Sequence, residues 1–336
     1  MTVVGPFGAS VRDPALEAEV QAGLRAVETG LMEATKSDVP FITEAAQHLV
    51  RAGGKRFRPL LLLLAAQFGD PDAPGVIPSA VVVELTHLAT LYHDDIMDEA
   101  QMRRGVPSAN ARWSNSVAVL TGDFLFSRAS TIVADLGPEA VRIQAEAFER
   151  LVTGQIQETA GPQEGVDPIA HHLDVIAGKT GSLIAVAGRM GAMTAGAPEH
   201  VVDTLAQYGE RIGIAFQLAD DILDIASDGE ESGKTPGTDL KEGVATLPVL
   251  RLREMVAQGG SDRDRELLEL LSGDLTDEAR HAEALAGLRA HPALERARQD
   301  ALAYATQARQ TLEPLPDIPA RTALAELCDA VADRTA

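Results

Sequence analysis

Asp94-Asp95-Ile96-Met97-Asp98 and Asp220-Asp221-Ile222-Leu223-Asp224 are one pattern, DDxxD, written twice at positions 126 apart. Each copy lies in a stretch with helical apolar periodicity. At ~100° per residue the first and last aspartates of a copy fall within ~40° of each other on the helix surface. Like charges so placed repel, and a cation offsets that repulsion. The donors are hard oxygens with no Cys or His among them, which suits Mg²⁺. That ion typically takes one or two carboxylates and completes its shell with water and substrate phosphates. The pattern therefore predicts a Mg²⁺–diphosphate site between two facing acidic helices. A single copy could equally be an N-cap followed by a solvated acidic face; two copies, both flanked by apolar residues, favour the metal.

The stripe around the first copy is longer than its carboxylates. His87, Leu91, Asp94 and Asp98 share one helix face, although a lone His there can also be a satisfied core residue. Arg103 and Arg104 follow shortly after and could fork onto phosphate oxygens; the plainer alternative is a solvated pair balancing Asp98 and Glu99. In the second copy Gln217, Asp220 or Asp221, and Asp224 share a face. Upstream, Gly53-Gly54-Lys55-Arg56-Phe57-Arg58-Pro59 is a basic glycine-containing loop entering a helix, where N–H groups, helix dipole and three cationic side chains suit an anion. It has neither Walker spacing nor a Ser or Thr after the Lys. Lys179 and Lys234 could serve the same anion or be ordinary surface.

Helices must carry these groups. The 336 residues are 45% hydrophobic but only 4% aromatic, which favours helix over sheet and suffices for a large core. Periodicity and caps predict helices over 13–35, 40–51, 59–69, 77–98, 114–135, 138–159, 167–190, 199–227, 245–257, 263–272, 276–289, 291–312 and 319–334. A loop is expected over 228–243, and no strand hairpin. This gives one all-α domain spanning 1–336, a bundle of roughly 10–13 helices, with 1–12 as a flexible extension. A net charge of −21 argues against nucleic acid as a partner. The lone Cys328 fits a reducing cytoplasm. The longest wholly apolar run, Pro59 to Ala66, falls far short of the ~20 residues of a membrane span.

At this point the chain resembles the polyprenyl synthetase family, the all-trans polyprenyl diphosphate synthases, from about Leu49 to Leu250. Its landmarks stand in the family's order: GGKRFRP at 53–59, ELTHLATLYHDDIMDEAQMRRG at 84–105, KT at 179–180, FQLADDILD at 216–224 and GKTPGTDLKEG at 233–243. The resemblance implies a helical bundle around a central prenyl-binding cavity, a homodimer, and condensation of isopentenyl diphosphate with an allylic prenyl diphosphate. Asp94, Asp98 and Asp220 would hold about three Mg²⁺, with Asp95, Asp221 and Asp224 as secondary ligands or supports. Arg103, Lys179, Gln217 and Lys234 would contact the allylic substrate, and Thr180 would present oxygen to the developing cation. Lys55, Arg58, His87 and Arg104 would bind the diphosphate of isopentenyl diphosphate. Val244 stands where the family often has a Lys, which puts that phosphate contact in doubt here, though Lys241 is near.

Chain length follows from size. Ala89 and Thr90, one turn before Asp94, are both small, and the first motif lacks the two-residue insertion of many short-chain members. An open tunnel implies a product of roughly C30 to C50, suited to quinone side chains and released at a membrane surface. Phe124, Phe148 or a partner's side chain could form the floor. The alternative is a geranylgeranyl (C20) diphosphate synthase. A class I terpene cyclase fits less well, because it needs no second diphosphate site and seldom repeats DDxxD. A non-catalytic synthase subunit typically loses an aspartate motif.

Overall fold

The computed structural model describes residues 11–227 and 236–334. In chain order it forms α1 (Pro14–Ala34), α2 (Pro40–Arg51), α3 (Phe57–Ala66), α4 (Val76–Met97), β1 (Met102–Arg103), β2 (Val106–Pro107), α5 (Ala109–Arg112) and α6 (Asn115–Asp135). Then follow α7 (Pro138–Ala160), α8 (Pro168–Ile176), a π-helical turn (Ala177–Gly181), α9 (Ser182–Thr194) and α10 (Glu199–Ala226). The remainder is α11 (Thr238–Lys241), α12 (Leu247–Ala257), α13 (Asp262–Leu271), α14 (Glu278–Arg289), α15 (Pro292–Thr311) and α16 (Pro319–Asp333). The protein is all-α; its one sheet among the described residues is the two-residue antiparallel ladder β1–β2.

Among the described residues contacts cluster into two compact units, one drawn from 11–149, 182–209 and 311–326, the other from 150–181, 210–227, 236–310 and 327–334. In the first unit, Asp13 caps α1 by accepting from the N–H of Ala15 at 3.0 Å and Leu16 at 2.9 Å, the expected use of an aspartate just before a helix. The leucine run Leu60–Leu64 of α3 is buried throughout, each side chain worth roughly 1.5–3 kcal/mol. α3 packs on α9 so closely that a Cβ on Gly191 would lie 2.3 Å from the Leu62 carbonyl oxygen. α4 packs against α1, α3, α6 and α9, which leaves it buried on most sides. Tyr92 in α4 is fully buried; its hydroxyl donates to the Ala45 carbonyl at 2.6 Å and accepts from the Leu49 N–H at 3.3 Å.

In the second unit, Ile214, Leu218, Ile222 and Ile225 of α10 recur at helical spacing and join a core with Leu247, Leu250 of α12 and Leu285, Leu288 of α14. Ser261 and Asp264 form a capping box at α13. This packing leaves the aspartates of α10 on the turns beside its apolar stripe.

The structure departs from the sequence reading in places. α3 begins at Phe57, not Pro59, because Arg56 takes a left-handed cap (φ 46°). The helix expected over 167–190 is broken by the π-helical turn, an insertion common at functional sites. The segment expected as loop to 243 contains the four-residue α11. The hairpin was not expected, since two-residue strands show no period-2 pattern. Among the described residues one helix, α6, is long and apolar enough to cross a membrane, and it is mostly unburied. It also carries Asp123 and Arg128, whose guanidinium Nε donates to the Ala34 carbonyl at 2.7 Å.

Candidate active site

The first acidic motif ends α4. Asp94 is partly buried, Asp95 fully buried, and Asp98, at the C-cap, is 51% exposed. Glu99 (φ 49°) turns the chain and Ala100 N–H returns to the Asp95 carbonyl at 2.9 Å. The hairpin then brings back two arginines. Its turn residues Arg104 (φ 54°) and Gly105 (φ 77°) are both left-handed, the requirement of a two-residue hairpin turn. Arg103 Nε donates to Asp95 Oδ1 at 2.5 Å, and its Nη2 lies 3.8 Å from Asp98 Oδ2. Arg104 points the other way, donating to the carbonyls of Leu49 at 3.2 Å and of Gly53. Gly54 has a φ of 151°, which side-chain-bearing residues rarely adopt, and a Cβ there would press on the Arg104 guanidinium at 2.9 Å.

Next to that turn is a cluster of arginines in which Arg56 holds most of the balancing carboxylates. Arg56 is not part of the anion surface that the basic loop suggested. It is buried, with Nε and Nη2 on Glu28 at 2.5 and 3.2 Å and Nη1 on Glu84 at 2.8 Å. Burial pulls its guanidinium down, but the two glutamates outweigh that and hold it above its ordinary value. Arg58 has no such pairing: its Nε is buried and finds no hydrogen-bond partner among the described residues. Burial first, and then Arg104, push it down to about 10 against the pull of Glu84. His87 is held well below its ordinary value by burial and by Arg58, Arg104, Arg56 and Arg103, so it is neutral near pH 7. Lys55 is exposed at the mouth of the loop. Glu84, 1% exposed, is the carboxylate on which Arg56 and, at 3.9 Å, Arg104 converge. Arg58 and Arg104, poorly solvated and sharing one carboxylate with Arg56, are groups that a bound anion would stabilise.

The second unit holds the other half of the residues picked out from the sequence. Lys179 lies in the π-helical turn with Nζ 2.6 Å from Glu158 Oε2. Thr180 Oγ1 donates to Gln217 Oε1 at 3.1 Å, and Gln217 Nε2 donates to Asp221 Oδ1 at 3.1 Å. Asp221 is buried, with His172 Nε2 at 3.2 Å from its Oδ2. Asp220, partly buried, is ion-paired with Arg334 of the C-terminal segment at 3.0 Å. Asp224 accepts from the N–H groups of Thr238 and Asp239, each at 3.2 Å, and so caps α11. Lys234 lies outside the described residues.

No group of three or more His, Cys, Asp or Glu side chains among the described residues forms a ready metal cage. The donor set still fits a hard divalent cation: Asp94 and Asp98 share one face at the end of α4, and Mg²⁺ takes one or two carboxylates and leaves the rest of its shell to phosphate and water. Ala89 is 2% exposed within α4, and Thr90 is buried with its hydroxyl on the His87 carbonyl at 2.8 Å. Phe148 stacks on Phe126 at 4.2 Å between centroids. Three contributors escaped the sequence reading. Glu84 could have been found, because it continues the stripe 87, 91, 94, 98 backwards by one turn. His172 and Arg334 had no sequence signal pointing to their aspartates.

The profile of the polyprenyl synthetase family matches residues 39–288. The chain is 51% identical over 329 residues to the nonaprenyl diphosphate synthase of Mycobacterium tuberculosis, covering 97% of each. Among solved structures it resembles a geranylgeranyl pyrophosphate synthase from Corynebacterium glutamicum complexed with calcium and isoprenyl diphosphate, with a TM-score of 0.86, 44% identity and 96% and 98% of the two chains covered. It also resembles a decaprenyl diphosphate synthase from Rhodobacter capsulatus, with a TM-score of 0.86, 35% identity and 96% and 99% covered.

Proposed function

The chain belongs to the polyprenyl synthetase family, and from that premise we propose how its residues divide the work of prenyl transfer. It is a trans-prenyltransferase that condenses isopentenyl diphosphate with an allylic diphosphate to give long-chain polyprenyl diphosphates. Its likeness to the nonaprenyl synthase over nearly the whole length supports long chains more strongly than its lesser likeness to a geranylgeranyl synthase supports C20. Quinone side chains are the proposed destination. The family profile runs through both compact units, which supports a single synthase domain.

The observation that carries the reading is the cluster of Arg58, Arg104 and neutral His87 beside the first acidic motif. On this reading Lys55, Arg58, Arg104 and His87 hold the diphosphate of isopentenyl diphosphate, His87 with a single neutral N–H. Arg103 and Lys179 take the allylic diphosphate, with Lys234 assigned to the same group by its motif. Asp94, Asp98 and Asp220 would hold about three Mg²⁺, which when bound would supply Lewis acidity to the departing diphosphate. Asp220 must then exchange its Arg334 partner. Thr180 spends its hydroxyl hydrogen on Gln217, so its oxygen is left to present lone pairs toward positive charge that develops on the allylic carbon. Arg103, held in place by Asp95, meets the charge on the leaving group already oriented, and Lys179 must exchange its Glu158 partner to join it. The alkene of isopentenyl diphosphate then attacks, and the proton lost from it goes to the released diphosphate. Small Ala89 and Thr90 leave room for the growing tail, and the site must exclude water to protect the cation.

The proposed assembly is a homodimer. It is supported by α6, where Val119 and Leu120 (67% exposed) present neighbouring apolar side chains. Cytoplasmic placement is proposed from the lone Cys328, which is buried and free. A water-insoluble product would leave at a membrane surface. The test is a product assay: protein, labelled isopentenyl diphosphate, farnesyl diphosphate and Mg²⁺, with the dephosphorylated products sized by chromatography. Products of C30 or longer are expected. A stop at C20 would move the enzyme to the geranylgeranyl class, and no elongation from any allylic starter would overturn the reading.

A further inference from the structure

The second aspartate of each acidic motif is turned away from the first and the last. A residue one place after the first aspartate is rotated ~100° around the helix and cannot share the face of the first and fifth. The structure shows where those second aspartates go. Asp95 is completely buried and its Oδ1 accepts from Arg103 Nε at 2.5 Å. Asp221 is also buried; its two oxygens are met by Gln217 Nε2 at 3.1 Å and His172 Nε2 at 3.2 Å, and Gln217 in turn receives the Thr180 hydroxyl. A buried carboxylate is costly unless it is paired, so neither serves as a solvated acidic face. Each is instead bonded to a side chain that the reading above turns toward the allylic substrate.

We propose that the second aspartate of each motif is a positioning residue: Asp95 fixes Arg103, and Asp221 fixes Gln217 and through it Thr180. This rests on the prenyltransferase reading and adds to it the particular side chain that each second aspartate holds. Asp94, Asp98 and Asp220 are left for the metal, and the second aspartate sets the angle of a substrate-binding group. The arrangement recurs with different partners, a guanidinium in one motif and an amide–hydroxyl relay in the other, so what the two motifs share is the anchor.

A competing role is available for Asp95, whose Oδ2 is buried without a hydrogen-bond partner among the described residues, as a direct metal ligand's oxygen would be. The test separates the two by sign. Binding of farnesyl thiodiphosphate is measured by titration calorimetry with EDTA present, so that no metal contributes. Removing a negative charge from an anion site tightens binding if charge alone matters. If Asp95 positions Arg103, Asp95→Asn instead weakens metal-free binding by about tenfold, the worth of one charge-assisted hydrogen bond. The Mg²⁺ concentration for half-maximal turnover stays unchanged, whereas Asp94→Asn raises it. In an Arg103→Gln background Asp95→Asn has little further effect, since residues acting through one contact are not additive. Asp221→Asn behaves likewise against Gln217→Leu, with the loss read in kcat rather than in the KM for isopentenyl diphosphate. If Asp95→Asn folds poorly, Asp95→Glu keeps the charge, displaces Arg103, and should weaken metal-free binding in the same way. Unchanged or tighter binding, a raised Mg²⁺ requirement, or additive effects with Arg103→Gln would overturn the proposal. Wild-type protein that fails to elongate in the same preparation would instead count against the prenyltransferase reading itself.

Discussion

Arg58→Met should make the substrate-free protein more stable and a poorer enzyme. A guanidinium held down to about 10, well below its ordinary value, carries an electrostatic penalty of roughly 3 kcal/mol in the folded state. Its buried Nε, without a partner among the described residues, belongs to the same cost. Methionine keeps much of the volume and none of the charge. Allowing for imperfect packing and for the weakened balance at Glu84, a net gain of about 1–2 kcal/mol is expected. The sign with pH follows from linkage. The folded value lies below the unfolded one, so above about 10 the unfolded chain holds more protons, and wild-type stability rises with pH from there until the unfolded guanidinium also titrates. The advantage of the variant is therefore whole at neutral pH and shrinks as the pH climbs past about 10. Urea unfolding midpoints at pH 7.5 and 10.5, without substrate or metal, measure it. In parallel the KM for isopentenyl diphosphate should rise by about tenfold or more, as a charge-assisted phosphate contact is lost. A variant destabilised by more than about 1 kcal/mol, or one with an unchanged KM, would refute the idea that this cluster is strained in favour of an anion.

Glu84→Gln works in the opposite direction: it strips the buried counter-charge from Arg56 and Arg104 and should cost about 3 kcal/mol in chemical denaturation; a neutral outcome would mean that Glu28 alone suffices. Gly191→Ala places a methyl 2.3 Å from the Leu62 carbonyl oxygen and should lower stability by about 1–3 kcal/mol, so a wild-type unfolding midpoint would count against the close α3–α9 contact. Ala89→Phe should shorten the product distribution with the protein still folded; unchanged chain lengths would assign Ala89 to helix packing alone. Leu120→Glu should shift the particle toward the monomer in light scattering, and an unaltered mass would remove α6 from the proposed interface.

The placement of the candidate residues was legible in the sequence because it is written at helical spacing. The two DDxxD patterns, the His87 stripe and the Gly53–Pro59 loop each depend on near neighbours, and the helices carrying them follow from apolar periodicity to within a few residues. What was not legible depends on distant pairs. Nothing near Arg56 says that Glu28 and Glu84 will capture it and take it out of the anion surface. Nothing near Asp220 foretells Arg334, which lies more than a hundred residues on. The π-helical turn hides for another reason: apolar residues on both sides keep a helical rhythm, and one extra residue in a turn leaves little trace in composition. Two-residue strands are likewise too short to alternate.

Tyr92 has a mechanical meaning for the helix that carries the first aspartates. Its ring sits inside the core, and its hydroxyl is tied to two backbone groups of α2. Swivelling α4 about its axis, even by a fraction of a turn, would tear both bonds away in a place where water cannot replace them. The helix therefore behaves as a locked spindle. Movement at this end of α4 is left to side-chain torsions and to the Arg103–Arg104 hairpin. A ligand that asks the spindle itself to turn would pay the cost of unlocking it.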